Sequence, residues 1–123
     1  MIKYISILLV LLVPLSSFAH EMTPTYPKWR ISSYEGLLVT EMQMFNKRYD
    51  VEYYEIAVLD EEWNPIPFVS SYKIFKLDYL GKINFEIYIR EQDKDKVEYV
   101  CSRSKMRDKK APGITSMICS RFE

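Results

Sequence analysis

Ile83-Asn84-Phe85-Glu86-Ile87-Tyr88-Ile89-Arg90 is the stretch that decides the fold. Ile83, Phe85, Ile87 and Ile89 take every second position, and Asn84, Glu86, Tyr88 and Arg90 take the others. Successive side chains of a strand point to opposite faces, so a period of two means one dry face and one wet face. Outward from this segment the same logic finds more strands. On the N-terminal side, Leu37 to Asn46 carries Leu38, Thr40, Met42 and Met44 on one parity, with the two methionines as core filler. Val51 to Leu59 does the same with Tyr54, Ile56 and Val58. Phe68 to Leu77 reads as one or two short strands.

On the C-terminal side, Glu91 to Lys96 is a charged, solvated hairpin turn, and Val97 to Arg103 alternates with Val97, Tyr99 and Cys101 on one side. Ile114 to Phe122 is a final strand. Ser32 to Gly36 and Asp60 to Pro65 are turns, the second carrying Trp63. His20 to Lys28, with Pro24 and Pro27, reads as an extended arm or edge strand. No stretch keeps a helical period. Roughly seven short strands at intervals of roughly ten residues predict an all-β chain folded as a β-sandwich.

The first residues give an address. Lys3 precedes an apolar run from Ile5 to Leu15, and Ser17 and Ala19 offer small side chains before a cut. This is the layout of a secretory signal peptide over residues 1–19, leaving one domain over residues 20–123. The run is too short for the roughly 20 residues of a membrane span. A periplasmic or secreted location follows, and it is oxidising, so a disulfide between Cys101 and Cys119 is chemically reasonable. A metal or redox pair fits less well, because no C-x-x-C motif occurs and no histidine lies near either cysteine.

Composition excludes several classes. Lys+Arg and Asp+Glu balance at 17 each, so no basic excess calls for nucleic acid. Three glycines leave no glycine-rich phosphate loop. The single histidine, His20, leaves no Ser-His-Asp or Cys-His set within the domain body. Asp60, Glu61, Glu62, Glu91, Asp93 and Asp95 lack calcium-loop spacing. The basic cluster from Lys105 to Lys110, with Arg103 before it, reads as an exposed loop that touches phosphate or lipid headgroups only if it has a function of its own. No enzyme activity and no cofactor are expected.

The order of Arg30 to Gly36, a strand ending in Phe45-Asn46, Leu77 to Lys82, and a strand ending in Tyr99-Val100-Cys101-Ser102-Arg103 resembles the N-terminal immunoglobulin-like domain of periplasmic pilus-assembly chaperones. In that family a strand ends in a V-x-N-like corner, and an L-x-P-G-like turn precedes a regular strand. The resemblance covers roughly residues 27 to 122 and implies an immunoglobulin-like β-sandwich of about seven strands with one disulfide. It also implies a protein partner gripped by an Arg and a Lys between two domains and completed by a donated strand. The chain departs from that pattern: Leu80 stands where proline is expected before Gly81, one domain replaces two, and the last strand has no lysine.

The expected role is therefore that of an exported, chaperone-like binding or assembly factor engaging an envelope or secreted protein through a sheet edge. Arg30, Trp63, Ile114 and Ile118 are the candidate partner contacts: Arg30 falls where the family arginine could, Trp63 is a half-exposed aromatic, and Ile114 and Ile118 line the last strand. Ile114, Ser116, Ile118 and Ser120 make that strand only half apolar. Two alternatives stand beside this role. One is a copper-binding protein in which His20, freed as the mature N-terminus, chelates Cu(II) through its amine and imidazole; without copper, His20 is a disordered terminal residue. The other is an accessory subunit of a surface assembly or a phage-encoded envelope protein.

Overall fold

A computed structural model describes residues 20–105 and 116–122. The expected signal peptide, most of the basic cluster, and Ile114 lie outside the described residues. Eight strands form two antiparallel sheets: β1 (Glu21–Thr23), β2 (Arg30–Ile31), β3 (Leu37–Phe45), β4 (Tyr53–Leu59), β5 (Ile74–Lys76), β6 (Lys82–Arg90), β7 (Tyr99–Lys105) and β8 (Met117–Arg121). In the first sheet β3 pairs with β6 along its whole length, and β1 and β2 share its other side. The second sheet runs β5-β4-β7-β8. The expected β-sandwich is present.

The two inner faces make the core. Leu38, Met42 and Met44 of β3, Phe85, Ile87 and Ile89 of β6, and Tyr54, Ile56 and Val58 of β4 are buried together, as their alternation requires. Ile83 is half-buried at the rim of the same cluster. The reading of β7 is corrected. Its inward residues are Val100, Ser102 and Ser104, while Tyr99, Cys101 and Arg103 lie on the other parity. Val97 is buried but precedes the strand. Val97 caps the 3-10 helix over Glu91–Lys96, its N–H bonded to Asp93 O, so it is buried with that turn and stands out of step with the strand. The Glu91–Lys96 segment is not a hairpin turn either, because β6 and β7 belong to different sheets. Nor is it solvated throughout: Asp93 is buried and accepts a hydrogen bond from Arg90 Nε at 2.8 Å.

Each flank of the sandwich is closed by a segment that touches both sheets. After β1 the chain leaves the first sheet. Thr25 O accepts the Arg121 N–H of β8, and Trp29 stacks on Phe122 at 4.5 Å, before β2 rejoins β3. On the opposite flank, Ile66 N–H bonds Val58 O of β4, and Val69 exchanges two backbone hydrogen bonds with Tyr88 of β6. Lys73 O then accepts Ile56 N–H, and β5 pairs with β4. These crossings cover backbone that open sheet edges would offer to other chains.

Cys101 and Cys119 face each other in the β7–β8 register and are bonded, with Cα atoms 4.1 Å apart. They occupy a non-hydrogen-bonded pair position, where opposing Cα atoms come closest. The bond closes a sequence separation of 18 residues. Replacing both cysteines by serine is expected to cost about 3 kcal/mol in urea unfolding, the chain-entropy value for a loop of this length.

Candidate functional site

β8 is the terminal strand of the second sheet, and its pairing fixes what it presents. Ser116 O accepts Ser104 N–H, and Phe122 N–H reaches Glu98 O, so the backbone of even-numbered residues turns toward β7. The backbone of Met117, Cys119 and Arg121 therefore turns outward. Arg121 N–H is taken by Thr25 O at 3.1 Å. No strand is paired onto Met117 or Cys119 among the described residues. A short open edge remains there.

The start of this strand is held by a buried polar cluster. Asn46, just after β3, is completely buried. Its amide donates to Val51 O and Leu77 O, and its Oδ1 accepts Arg48 N–H and Tyr54 O–H. Its backbone binds the turn before β6: Leu80 N–H donates to Asn46 O and Asn46 N–H to Gly81 O. Leu80 has a left-handed φ of 62°. Gly81 follows because a Cβ there would stand 2.9 Å from Asp78 O. Arg48 makes a two-pronged pair with Asp50, at 2.9 and 2.6 Å, and its Nη1 lies 3.5 Å from Ser116 Oγ. Ser104 Oγ accepts Ser116 N–H at 2.7 Å.

His20 completes the cluster. It is 1% exposed, which corrects its reading as a disordered terminal residue. Nε2 lies 2.7 Å from Ser102 Oγ and 3.3 Å from Ser102 O. A carbonyl only accepts, so a proton on Nε2 serves that contact, and Nδ1 is left to accept from Ser116 Oγ at 3.4 Å. The ring leans on Tyr54 at 4.7 Å. Burial pushes the imidazole below its ordinary pKa; the Ser102 carbonyl opposes this and Arg48 adds to it. Burial also pushes the Tyr54 hydroxyl up to about 12. The hydrogen bond from Arg48 holds Asp50 below the usual carboxylate range.

The other sequence candidates are dispersed. Arg30 is exposed in β2 on the first sheet, 3.8 Å from Glu41, whereas the open edge of β8 belongs to the second sheet. Ile118 points inward and is half-buried against the core, so the outward apolar residue of β8 is Met117. Trp63 is 52% exposed and stacks on Tyr99 at 4.5 Å, on the outer face of the second sheet. Both ring nitrogens of His20 are directed at serines, and the described residues contain no cluster of three or more His, Cys, Asp or Glu suited to a metal. No helix among the described residues is long and apolar enough to cross a membrane. Sequence reasoning missed Arg48, Ser102, Ser104 and Ser116; only the corner at Asn46 carried a signal.

No protein-family model and no curated protein matches the sequence. Solved structures do match in fold. The E. coli chaperone DraB aligns at a TM-score of 0.64 and 17% identity, over 85% of this chain and 53% of its own. The Salmonella enterica SafB chaperone, solved in complex with the SafA pilin, aligns at 0.64 and 11%, over 89% of this chain and 55% of its own. The fold is that of a pilus-chaperone domain. This chain spans about half the length of either structure.

The buried histidine gives a signed pH dependence. In the unfolded chain His20 takes a proton near 6.5; in the fold it resists. The unfolded state binds more protons below that pH, so this contribution to stability is complete above 6.5 and is lost as pH falls through 6.5 toward the depressed folded value. We expect the urea midpoint to drop between pH 7.5 and pH 5. His20→Gln should lower stability by about 1 kcal/mol at pH 7.5 and flatten that slope. An equal slope in the variant would assign the dependence elsewhere.

Proposed function

We propose that this chain is an exported, non-enzymatic binding or assembly factor of the bacterial envelope that engages an envelope or secreted protein by strand addition at β8. The observation that carries the reading is the open backbone at Met117 and Cys119, on a sandwich whose flanks are otherwise crossed by covering segments. An unpaired edge offers main-chain hydrogen bonds for affinity, and alternate side chains set specificity. The edge starts at Ser116, which Ser104 ties to β7. A firmly held edge loses little conformational entropy when a partner strand arrives. The likeness in fold to DraB and SafB supports the same reading. Export rests on Lys3, the Ile5 to Leu15 run and the small residues Ser17 and Ala19, and places the domain in the periplasm or outside the cell.

The test uses Met117→Pro. Proline removes an N–H that points away from β7, so the β7–β8 ladder survives, as it does for prolines on edge strands. We expect proteins captured from periplasmic extract by the wild type to slow hydrogen exchange at the Met117 and Cys119 amides. The proline variant should bind them at least roughly tenfold more weakly. Captured partners that bind the variant equally well and protect other amides would remove strand addition at β8 from the account.

A further inference from the structure

The outer face of the second sheet carries a recess that strand addition does not use. Its floor is small: Ala57 of β4 and Cys101 of β7 stand directly opposite each other in register. Leu59 and Trp63 wall one end; Glu55, Arg103 and Met117 surround the other. The cavity volume is about 270 Å³, enough for one large side chain and not for a folded element.

Two features separate this recess from ordinary outer-face relief. The first is how Trp63 is held. Its backbone is left-handed, φ 67°, a conformation unfavourable for a bulky residue. Asp60 fixes it there: its O accepts Trp63 N–H at 3.0 Å, and its carboxylate accepts the N–H groups of Glu62 and Asn64. The indole lies parallel to Tyr99, at 4°, with half its surface in water. The turn thus places a large apolar ring on a wet face, where packing does not demand it.

The second feature is charge. Glu55 is paired with Lys105 at 2.7 Å. Arg103, opposite Glu55 in register, has no carboxylate within ion-pair distance among the described residues; its Nη2 rests 3.9 Å from Met117 Sδ. Among the described residues, the recess therefore presents an apolar hole beside a guanidinium with no ion-pair partner. A guanidinium matches a carboxylate in shape as well as charge.

We propose that this recess binds an extended acidic segment of a partner protein, seating one branched or aromatic side chain over Ala57 and setting an adjacent carboxylate on Arg103. The site lies on the sheet face rather than its edge, so it stands apart from strand addition at β8, although Met117 borders both.

Three acetylated, amidated pentapeptides test it: one alternating Glu and Phe, one with Gln for Glu, one with Lys for Glu. Each is titrated into isotope-labelled protein while the Trp63 indole, the Ala57 methyl group and the Met117 and Cys119 amides are followed by NMR. We expect saturable shifts at Trp63 and Ala57, with the Glu peptide binding at least roughly threefold tighter than the Gln peptide and the Lys peptide weakest. Arg103→Glu should erase or invert that order, and Ala57→Leu, which fills the floor, should abolish the shifts; unchanged thermal midpoints would show both variants folded. No shift with any peptide, equal affinity for all three, or an order that survives Arg103→Glu overturns the proposal. Shifts confined to the Met117 and Cys119 amides also overturn it, while leaving the edge reading intact.

Discussion

The side chain of Asn46 is the constraint on which the rest of the structure depends. One completely buried amide satisfies two carbonyls, one backbone N–H and one phenol, and these belong to three separate parts of the chain. A buried polar group is tolerated only when its hydrogen-bonding capacity is met, and here all of it is met by neighbours that need partners themselves. The β3–β4 corner, the turn before β6 and Tyr54 are therefore fixed together. Leu80 takes a left-handed backbone because its own N–H and the carbonyl of Gly81 close on the Asn46 backbone.

From that corner the order passes to β8 in steps. Tyr54 supports His20, and His20 and Arg48 flank Ser116. The inward residues of β7 at this end are serines rather than aliphatic side chains, because Ser102 meets the His20 imidazole and Ser104 accepts the Ser116 N–H. The sandwich thus has an oily middle and a hydrogen-bonded end. An oily end would hold Ser116 by contact alone. A hydrogen-bonded end sets it in one register, since each donor accepts few alternatives.

What was legible in the sequence follows the range of the causes. Alternation is a local property, so the faces of β3, β4 and β6 were readable residue by residue, and Cys101 and Cys119 lie on strands that are successive in sequence and paired in the sheet. The phase of β7 was not readable, because Val97 is buried as the cap of the 3-10 helix over Glu91–Lys96 and not as a strand residue, so counting by twos from it lands on the outer face. Asp93 sat among lysines and looked solvated, yet Arg90 folds back to it. His20 was misjudged for the plainest reason: its serine partners are 82 and 96 residues away. Arg48 read as part of a polar break, since nothing near it in sequence reveals the strand end it faces. The recess on the outer face follows the same rule. Trp63 announced itself as an odd aromatic in a turn, but its company of Ala57 and Arg103 is assembled by strand register.

The flank segments at residues 21–31 and 66–73 carry a thermodynamic consequence. Each makes contacts with both sheets, so the sheets cannot slide or part without breaking hydrogen bonds on either side. A partner arriving at this domain meets a finished body. Association there should carry the modest heat-capacity change of docking rather than the large one of coupled folding, and its temperature dependence should be correspondingly shallow. Ordering on complex formation would then fall on the partner.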